Sequence, residues 1–103
     1  MNSYCTPELK EKFDKILREN KIVVVSNLGH PFCEKLNKLF KKNSIDFFEM
    51  DMIHPEYDDL IPCIHEKSKS RFKPQIYVKS NYIGGYTEAL NYFVLGKFKK
   101  FKF

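Results

Sequence analysis

Apolar and polar positions follow one another along the chain in patterns that predict helices and strands in alternation. Residues 6–20 place their apolar side chains on one face at the spacing of a helix, with Thr6 able to cap it and Pro7 suited to its first turn. Residues 21–26 (KIVVVS) form a short, continuous apolar run, which is typical of a strand covered on both faces. A second amphipathic helix is predicted over residues 31–43, opened again by a proline.

The middle of the chain continues the alternation with a strand and a less regular helix. Residues 45–51 (IDFFEMD) predict the next strand, which forms a right-handed βαβ unit with the two elements before it. A helix is expected around residues 57–68, but Pro62 lies inside it and removes a backbone hydrogen bond there. The helix therefore either begins near Ile61 or is kinked.

The last part of the chain predicts a hairpin and a final helix. Residues 74–83 contain two short apolar segments that pair as antiparallel strands, with a turn across residues 80–81. Thr87 can cap a helix over residues 88–95, and Gly96 suits its C-terminal end.

The resulting order of elements, α-β-α-β-α-β-β-α, predicts an α/β fold of the thioredoxin type. Its four-stranded mixed sheet combines a parallel pair with an antiparallel hairpin and has helices on both faces. A length of 103 residues favours one domain over residues 1–103. Within it we expect a core of residues 21–96, an N-terminal helix over 6–20 and a C-terminal tail over 97–103.

The net charge adds little to this prediction, because most of the excess positive charge lies in the C-terminal tail. The formal net charge is +5, but the tail contains four lysines in seven residues, so the remainder of the chain is close to neutral. We therefore expect no nucleic-acid binding. The alternating lysines and phenylalanines of residues 97–103 (KFKKFKF) could contact an anionic surface such as a membrane. A solvated or locally packed terminus is the preferred interpretation of so short a segment.

The cysteines are three in number and widely spaced, at Cys5, Cys33 and Cys63, with no CxxC motif. This pattern predicts no disulfide framework. We take Cys5 to be an exposed residue without a partner and Cys63 to face the core. The first residues show neither an apolar segment nor a cleavage signal, so we expect a reducing, cytoplasmic location.

Three segments, in the right order, resemble the glutaredoxin family. Residues 23–33 (VVVSNLGHPFC) are similar to the family's first strand, loop and Cys-Pro-Tyr-Cys motif, with His-Pro-Phe-Cys at residues 30–33. Lys73 and Pro74 resemble the segment whose proline is cis in the family, and residues 83–87 resemble its Gly-Gly-Cys-Asp turn. The stretch PQIYVKSNYIGG is closest to the single-cysteine branch.

The chemistry of that family needs an exposed thiolate at a helix N-terminus, where backbone amides and nearby cations lower the thiol's pKa. The resemblance places His30 at the position of this attacking cysteine, and an imidazole cannot form a mixed disulfide with glutathione. Cys33 stands at the place of the family's second, shielded cysteine. Two interpretations of Cys33 stay open: a small core side chain, or a residual nucleophile assisted by His30.

The resemblance also implies a glutathione groove. Its positions in this sequence are Asn27, Phe32, Lys73, Pro74, Gly85, Tyr86 and Thr87. Asn27 stands where the family often has a lysine for the glycyl carboxylate, and Thr87 stands where it has an aspartate for the γ-glutamyl end. Phe32 keeps the aromatic wall, and a cis Pro74 leaves the backbone of Lys73 free to pair with a peptide-like ligand. We therefore expect weakened glutathione binding that depends mainly on backbone contacts.

Metal chemistry is not expected at this site. The single-cysteine glutaredoxins hold an iron–sulfur cluster through the first motif cysteine and glutathione, and His30 removes that protein ligand. His30 and Cys33 together are too few ligands for a zinc site.

These residues support three functional hypotheses, which we rank. The first is a monomeric glutaredoxin-like protein with a degenerate active site, little or no thioltransferase activity, and a groove for glutathione or a protein thiol or peptide segment. The second is an atypical glutathione-dependent thiol-disulfide oxidoreductase that uses Cys33. The third is an adaptor that contacts an anionic surface through its tail.

Overall fold

The computed structural model describes residues 4–98, in which four helices and four strands alternate as the sequence predicts. The helices are α1 (Pro7–Glu19), α2 (Pro31–Lys42), α3 (Ile61–Ser68) and α4 (Tyr86–Val94). The strands are β1 (Ile22–Ser26), β2 (Phe48–Asp51), β3 (Gln75–Val78) and β4 (Asn81–Gly84). A 3-10 helix, Pro55–Leu60, leads directly into α3.

The strands form one mixed sheet in the order β2-β1-β3-β4. β1 pairs with β2 in parallel, while β3 is antiparallel to both β1 and β4. This arrangement confirms the predicted fold class. All five residues of β1 are buried, as its apolar run indicates.

The sheet separates two hydrophobic clusters. One lies between the sheet and helices α2 and α4, and is centred on Leu36, Phe40 and Ile76. The other lies under α1 and α3, where Phe13 and Leu17 of α1 are each 1% exposed. Each cluster removes large apolar side chains from water, which is the main favourable contribution to folding.

Several boundaries differ from the sequence expectations for local reasons. Thr6 caps α1 as expected, with its Oγ1 accepting a hydrogen bond from the backbone N–H of Leu9 at 3.3 Å. The hairpin turn falls on Lys79 and Ser80, one residue earlier than predicted, and both adopt positive φ. Such a pair of left-handed residues matches the twist of a two-residue hairpin.

The helix after β2 decides between two expected alternatives, and the helix after β4 corrects an expectation. Of the two alternatives around Pro62, α3 begins at Ile61, so the proline lies in its first turn, where it removes no helical hydrogen bond. The final helix begins earlier than expected, and Gly85 rather than Thr87 is its N-cap residue. Gly96 follows its end with a φ of +73°, as expected of a C-terminal glycine.

The largest correction concerns the two cysteines that we took to be unpaired. Cys5 and Cys63 form a disulfide bond that joins the segment before α1 to the first turn of α3. Their Cα atoms are 4.8 Å apart although 58 positions separate them in the sequence. Packing of α1 against α3 brings the two cysteines together, and their spacing in the sequence does not indicate that they are close.

The start of the tail belongs to the core. Phe98 is 1% exposed and packs edge-on against Phe40, with the ring centroids 5.0 Å apart. The remainder of the tail, residues 99–103, lies outside the described residues. No helix within residues 4–98 is both long and apolar enough to cross a membrane.

Candidate thiol and ligand site

The candidate site lies at one edge of the sheet, where several chain segments meet. β1 ends at Ser26 while its antiparallel neighbour β3 begins at Gln75, which is paired with Val25. The loop before α2 and the segment before β3 therefore lie at the same edge. β4 also ends there, at Gly84, and leads into α4. The topology thus brings together the three sequence segments that resemble the glutaredoxin motifs.

His30 is the N-cap residue of α2, and its side chain is exposed. Its backbone is fixed on both sides, since its N–H donates to the carbonyl of Asn27 at 2.9 Å and its carbonyl accepts from the N–H of Glu34 at 3.1 Å. The imidazole makes no capping hydrogen bond to the helix. Position 30 therefore presents its side chain to solvent beside the unpaired N–H groups of the first turn of α2.

Cys33 lies one turn further along α2, and only 1% of it is exposed. Its Sγ accepts a hydrogen bond from the backbone N–H of Asn27 at 3.4 Å. Burial raises the pKa of the Cys33 thiol, and the nearby Glu49 carboxylate acts in the same direction, against the opposing effect of the Asn27 N–H. The sulfur's hydrogen-bond partner is thus Asn27 rather than His30, and its environment favours the neutral thiol.

A polar network beneath Cys33 was not anticipated from the sequence. Glu49 of β2 accepts hydrogen bonds from Ser26 Oγ at 3.2 Å and from Asn37 Nδ2 at 2.7 Å. The carboxylate is thereby held between the end of β1 and the middle of α2. The only sequence signal for it is a charged residue in the middle of the predicted strand.

A groove of about 270 Å³ lies beside Phe32, and most of the predicted groove residues line it. Its walls are Phe32, Phe72, Lys73, Pro74, Gly85, Tyr86, Thr87 and Glu88. The Lys73–Pro74 peptide bond is cis, as the resemblance implies. Asn27 does not line the groove, because its side-chain oxygen accepts from the N–H of Gly29 and closes the loop.

The glycines on the groove floor permit close packing. A side chain at Gly84, whose φ is +129°, would overlap the side chain of Glu88. A Cβ at Gly85 would lie 3.3 Å from the carbonyl oxygen of Pro74. The absence of a side chain at Gly85 thus favours the close approach of this segment to Pro74, and Gly84 leaves room for the side chain of Glu88.

Glu88 has a role that the sequence reasoning missed. Its Oε1 accepts a hydrogen bond from the backbone N–H of Gly85 at 2.7 Å, so it satisfies one of the free amides at the start of α4. The expected cap, Thr87, instead has an exposed side chain. A carboxylate of the protein thus already occupies part of the helix end that an anionic ligand would use.

An aromatic wall forms one side of the groove. Phe32 and Tyr86 pack with their ring centroids 5.2 Å apart, and Lys35 places its Nζ 5.4 Å from the centre of the Phe32 ring. Phe32 is 54% exposed, so this wall faces solvent. Phe72, a residue that the sequence reasoning did not select, is 84% exposed and extends the apolar rim.

Metal ligands do not gather at this edge. Within residues 4–98, no three or more His, Cys, Asp or Glu side chains are grouped so that they could hold a metal ion.

We expect Cys33 to react slowly with alkylating reagents below pH 9. Its pKa is raised from the ordinary value of 9.0, so the reactive thiolate is scarce at neutral pH. Iodoacetamide labelling followed by mass spectrometry across pH 6–10 measures this, and a half-maximal rate near pH 7 would contradict it. Because folding raises this pKa, ionisation of the Cys33 thiol lowers the stability of the fold as the pH rises above that ordinary value.

Known proteins with similar sequences and structures are glutaredoxins. No protein-family model matches the chain. Glutaredoxin-2 of Schizosaccharomyces pombe is 30% identical over 74 residues, which cover 70% of this chain and 66% of that protein. The match thus spans just under two thirds of the relative's length.

Solved structures agree on the fold. The glutaredoxin–glutathione complex of buckwheat superimposes with a TM-score of 0.80 at 19% identity, covering 93% of this chain and 92% of that one. Wheat glutaredoxin superimposes with a TM-score of 0.78 at 19% identity, covering 91% of this chain and 93% of that one. A dithiolic glutaredoxin of Trypanosoma brucei brucei superimposes with a TM-score of 0.73 at 24% identity, covering 93% of this chain and 96% of that one.

Proposed function

Because this chain is similar to glutaredoxins in sequence and in fold, we propose that it is a glutaredoxin-like thiol-redox protein whose ordinary thioltransferase reaction is absent or very weak. We propose further that its groove binds glutathione or a peptide-like segment of a protein thiol. The observation that carries this proposal is the exposed His30 at the N-cap of α2, beside a cysteine that is buried.

The loss of turnover follows from the requirements of disulfide exchange. A thiolate must approach a disulfide sulfur directly, so the attacking sulfur has to be both ionised and accessible. His30 is accessible but has no sulfur. Cys33 has a sulfur but is 1% exposed, and its pKa is raised. Neither residue alone meets both requirements.

Retention of a binding groove follows from features that do not depend on the lost cysteine. The cis Lys73–Pro74 bond, the close approach at Gly85 and the Phe32–Tyr86 wall are all present. A glutathione molecule there would pair with the backbone of Lys73 and meet the start of α4 at Thr87. The thiol that it supplies would then face a loop that offers no exposed protein sulfur.

Binding should nevertheless be weaker than in an intact glutaredoxin. The side-chain oxygen of Asn27 accepts a hydrogen bond within its own loop, and Thr87 has no charge with which to bind the ligand's ammonium group. Glu88 already accepts from the Gly85 N–H, which leaves less positive potential at the start of α4 for a ligand carboxylate.

The two alternative hypotheses are less well supported. An oxidoreductase that uses Cys33 requires that a buried thiol with a raised pKa become a nucleophile, against the direction set by its surroundings. An adaptor that acts through the tail depends on residues 99–103, which lie outside the described part of the chain. We therefore keep the binding protein as the proposed function.

Titration with reduced glutathione, followed residue by residue with NMR, tests the groove. We expect fast-exchange shifts at residues 32, 73–74 and 85–87 and none around the far end of the sheet. If no groove residue shifts at millimolar glutathione, the binding proposal is wrong.

Restoring the family's carboxylate is expected to strengthen this binding. Thr87 is exposed, so Thr87→Asp can be accommodated, and a charge-assisted hydrogen bond to the ligand's ammonium adds about 1.5–3 kcal/mol. The dissociation constant for glutathione should fall about tenfold or more. Thr87→Asn is the matched control, because it keeps the shape without the charge. Equal affinities for the two variants would contradict the assigned ligand orientation.

A further inference from the structure

We propose that the Cys5–Cys63 disulfide is a second redox site of this chain, which exchanges reversibly with low-molecular-weight thiols. The site is separate from the groove, since it joins the segment before α1 to the first turn of α3. Nothing in the groove takes part in it, and it does not depend on the function proposed above.

One cysteine of the bond is more exposed than the other. Cys63 is 3% exposed, whereas Cys5 is only partly buried. Both cysteines line a shallow cavity of about 120 Å³ on the protein surface. We therefore take Cys5, the more exposed of the two, as the cysteine that an attacking thiolate meets first.

The charges around this cavity do not exclude an anionic thiolate. Lys10, Asp14, Glu66 and Lys67 line it, so two positive charges balance two negative ones. Attack on Cys5 releases Cys63 as a thiolate in the first turn of α3, where a helix favours negative charge.

The exchange balances with two equivalents of thiol. In the first step a small thiolate bonds to the sulfur of Cys5, the S–S bond breaks, and Cys63 takes the electron pair and then a proton. In the second step another small thiolate attacks the small molecule's sulfur in this mixed disulfide, the bond to Cys5 breaks, and Cys5 leaves with the electron pair and takes a proton. The protein disulfide gains two electrons and two protons, and two thiols become one small-molecule disulfide.

The fold around the bond does not depend on it alone, so opening is compatible with a native structure. Phe13 and Leu17 hold α1 in the core, each 1% exposed, and Lys12 pairs with Asp59 of the 3-10 helix at 3.4 Å. In the reducing compartment that we propose for this chain, disulfides in proteins are usually transient or redox-sensing. An anchored helix and an accessible sulfur fit that use.

The test equilibrates the full chain in buffers of varied reduced-to-oxidised glutathione ratio, then quenches with acid, alkylates and maps each cysteine by mass spectrometry. We expect Cys5 and Cys63 to become free together. The transition should span about a hundredfold range in the ratio of the squared concentration of reduced glutathione to the concentration of oxidised glutathione. Circular dichroism should stay native throughout, and oxidised glutathione should restore the bond. Quenching at early times should find glutathione attached to Cys5 and not to Cys63.

Two variants separate this site from the rest of the protein. Cys33→Ala should leave the transition unchanged, and Cys5→Ala should abolish it without unfolding the chain. The proposal is overturned if the bond opens only in denaturant, if both thiols stay free in the most oxidising buffer, or if glutathione attaches first to Cys63. None of these results bears on the groove titration.

Discussion

Replacing His30 with cysteine is expected to raise the rate of reduction of a glutathione mixed disulfide at least about fifteenfold at pH 7. An unperturbed thiol with a pKa of about 8.5 is only about 3% ionised at pH 7, and burial raises the pKa of Cys33 further. An exposed thiol at a helix N-terminus has a pKa near or below 7, so half or more of it is thiolate. The increase in thiolate fraction alone gives the stated factor. A coupled assay with a glutathionylated peptide measures it.

The controls distinguish restored chemistry from a general disturbance of the loop. His30→Ser offers nearly the same volume as cysteine without a nucleophilic sulfur, and should stay as slow as the natural chain. His30→Cys combined with Cys33→Ala should keep most of the gain, since the exposed sulfur alone performs the attack. A natural chain that already turns over as fast as His30→Cys would refute the proposed loss of activity.

Removal of the disulfide is expected to lower the free energy of unfolding by about 4 kcal/mol at 25 °C. The bond closes a loop between positions 58 apart, and the loss of loop-closure entropy in the unfolded chain gives this size. Domains of this kind are stable by about 5–15 kcal/mol, so the reduced protein should stay folded. Urea unfolding of the oxidised chain and of Cys5→Ala gives the difference directly.

Reduction supplies an independent check of that value. Dithiothreitol should destabilise the natural chain by the same amount as Cys5→Ala and should leave Cys5→Ala itself unaffected. Cys5 is the better position to replace, because Cys63 is 3% exposed and its removal would also leave a cavity in the core. A difference below about 1 kcal/mol would show that the bond does not constrain the unfolded chain.

The fold could be predicted from the sequence because each element carries its own signal. The apolar run of β1 indicates a central strand, and all of it is buried. The proline and glycine segments that resemble glutaredoxins lie at one edge of the sheet, where topology places them. Local periodicity and turn chemistry were sufficient for this level of description.

What could not be predicted depends on contacts between distant parts of the chain. Cys5 pairs with Cys63 because α1 packs on α3, and the spacing of the cysteines in the sequence does not predict this packing. The sequence predicts that Thr87 caps α4. Because Gly85 is the N-cap residue and has no side chain, Glu88 supplies the capping side chain instead. The burial of Cys33 was one of two open alternatives, and its bond to the backbone of Asn27 depends on loop geometry.

The position of Phe98 sets where the chain can be shortened. Its ring packs between those of Phe40 and Tyr92, with centroid distances of 5.0 and 5.4 Å. A truncation at residue 96 would therefore remove a core side chain as well as lysines, and any loss of surface binding would be confounded by loss of stability. Ending the chain directly after Phe98 keeps the core intact and removes only residues 99–103. Membrane or vesicle experiments on the tail should compare the full chain with that shorter form.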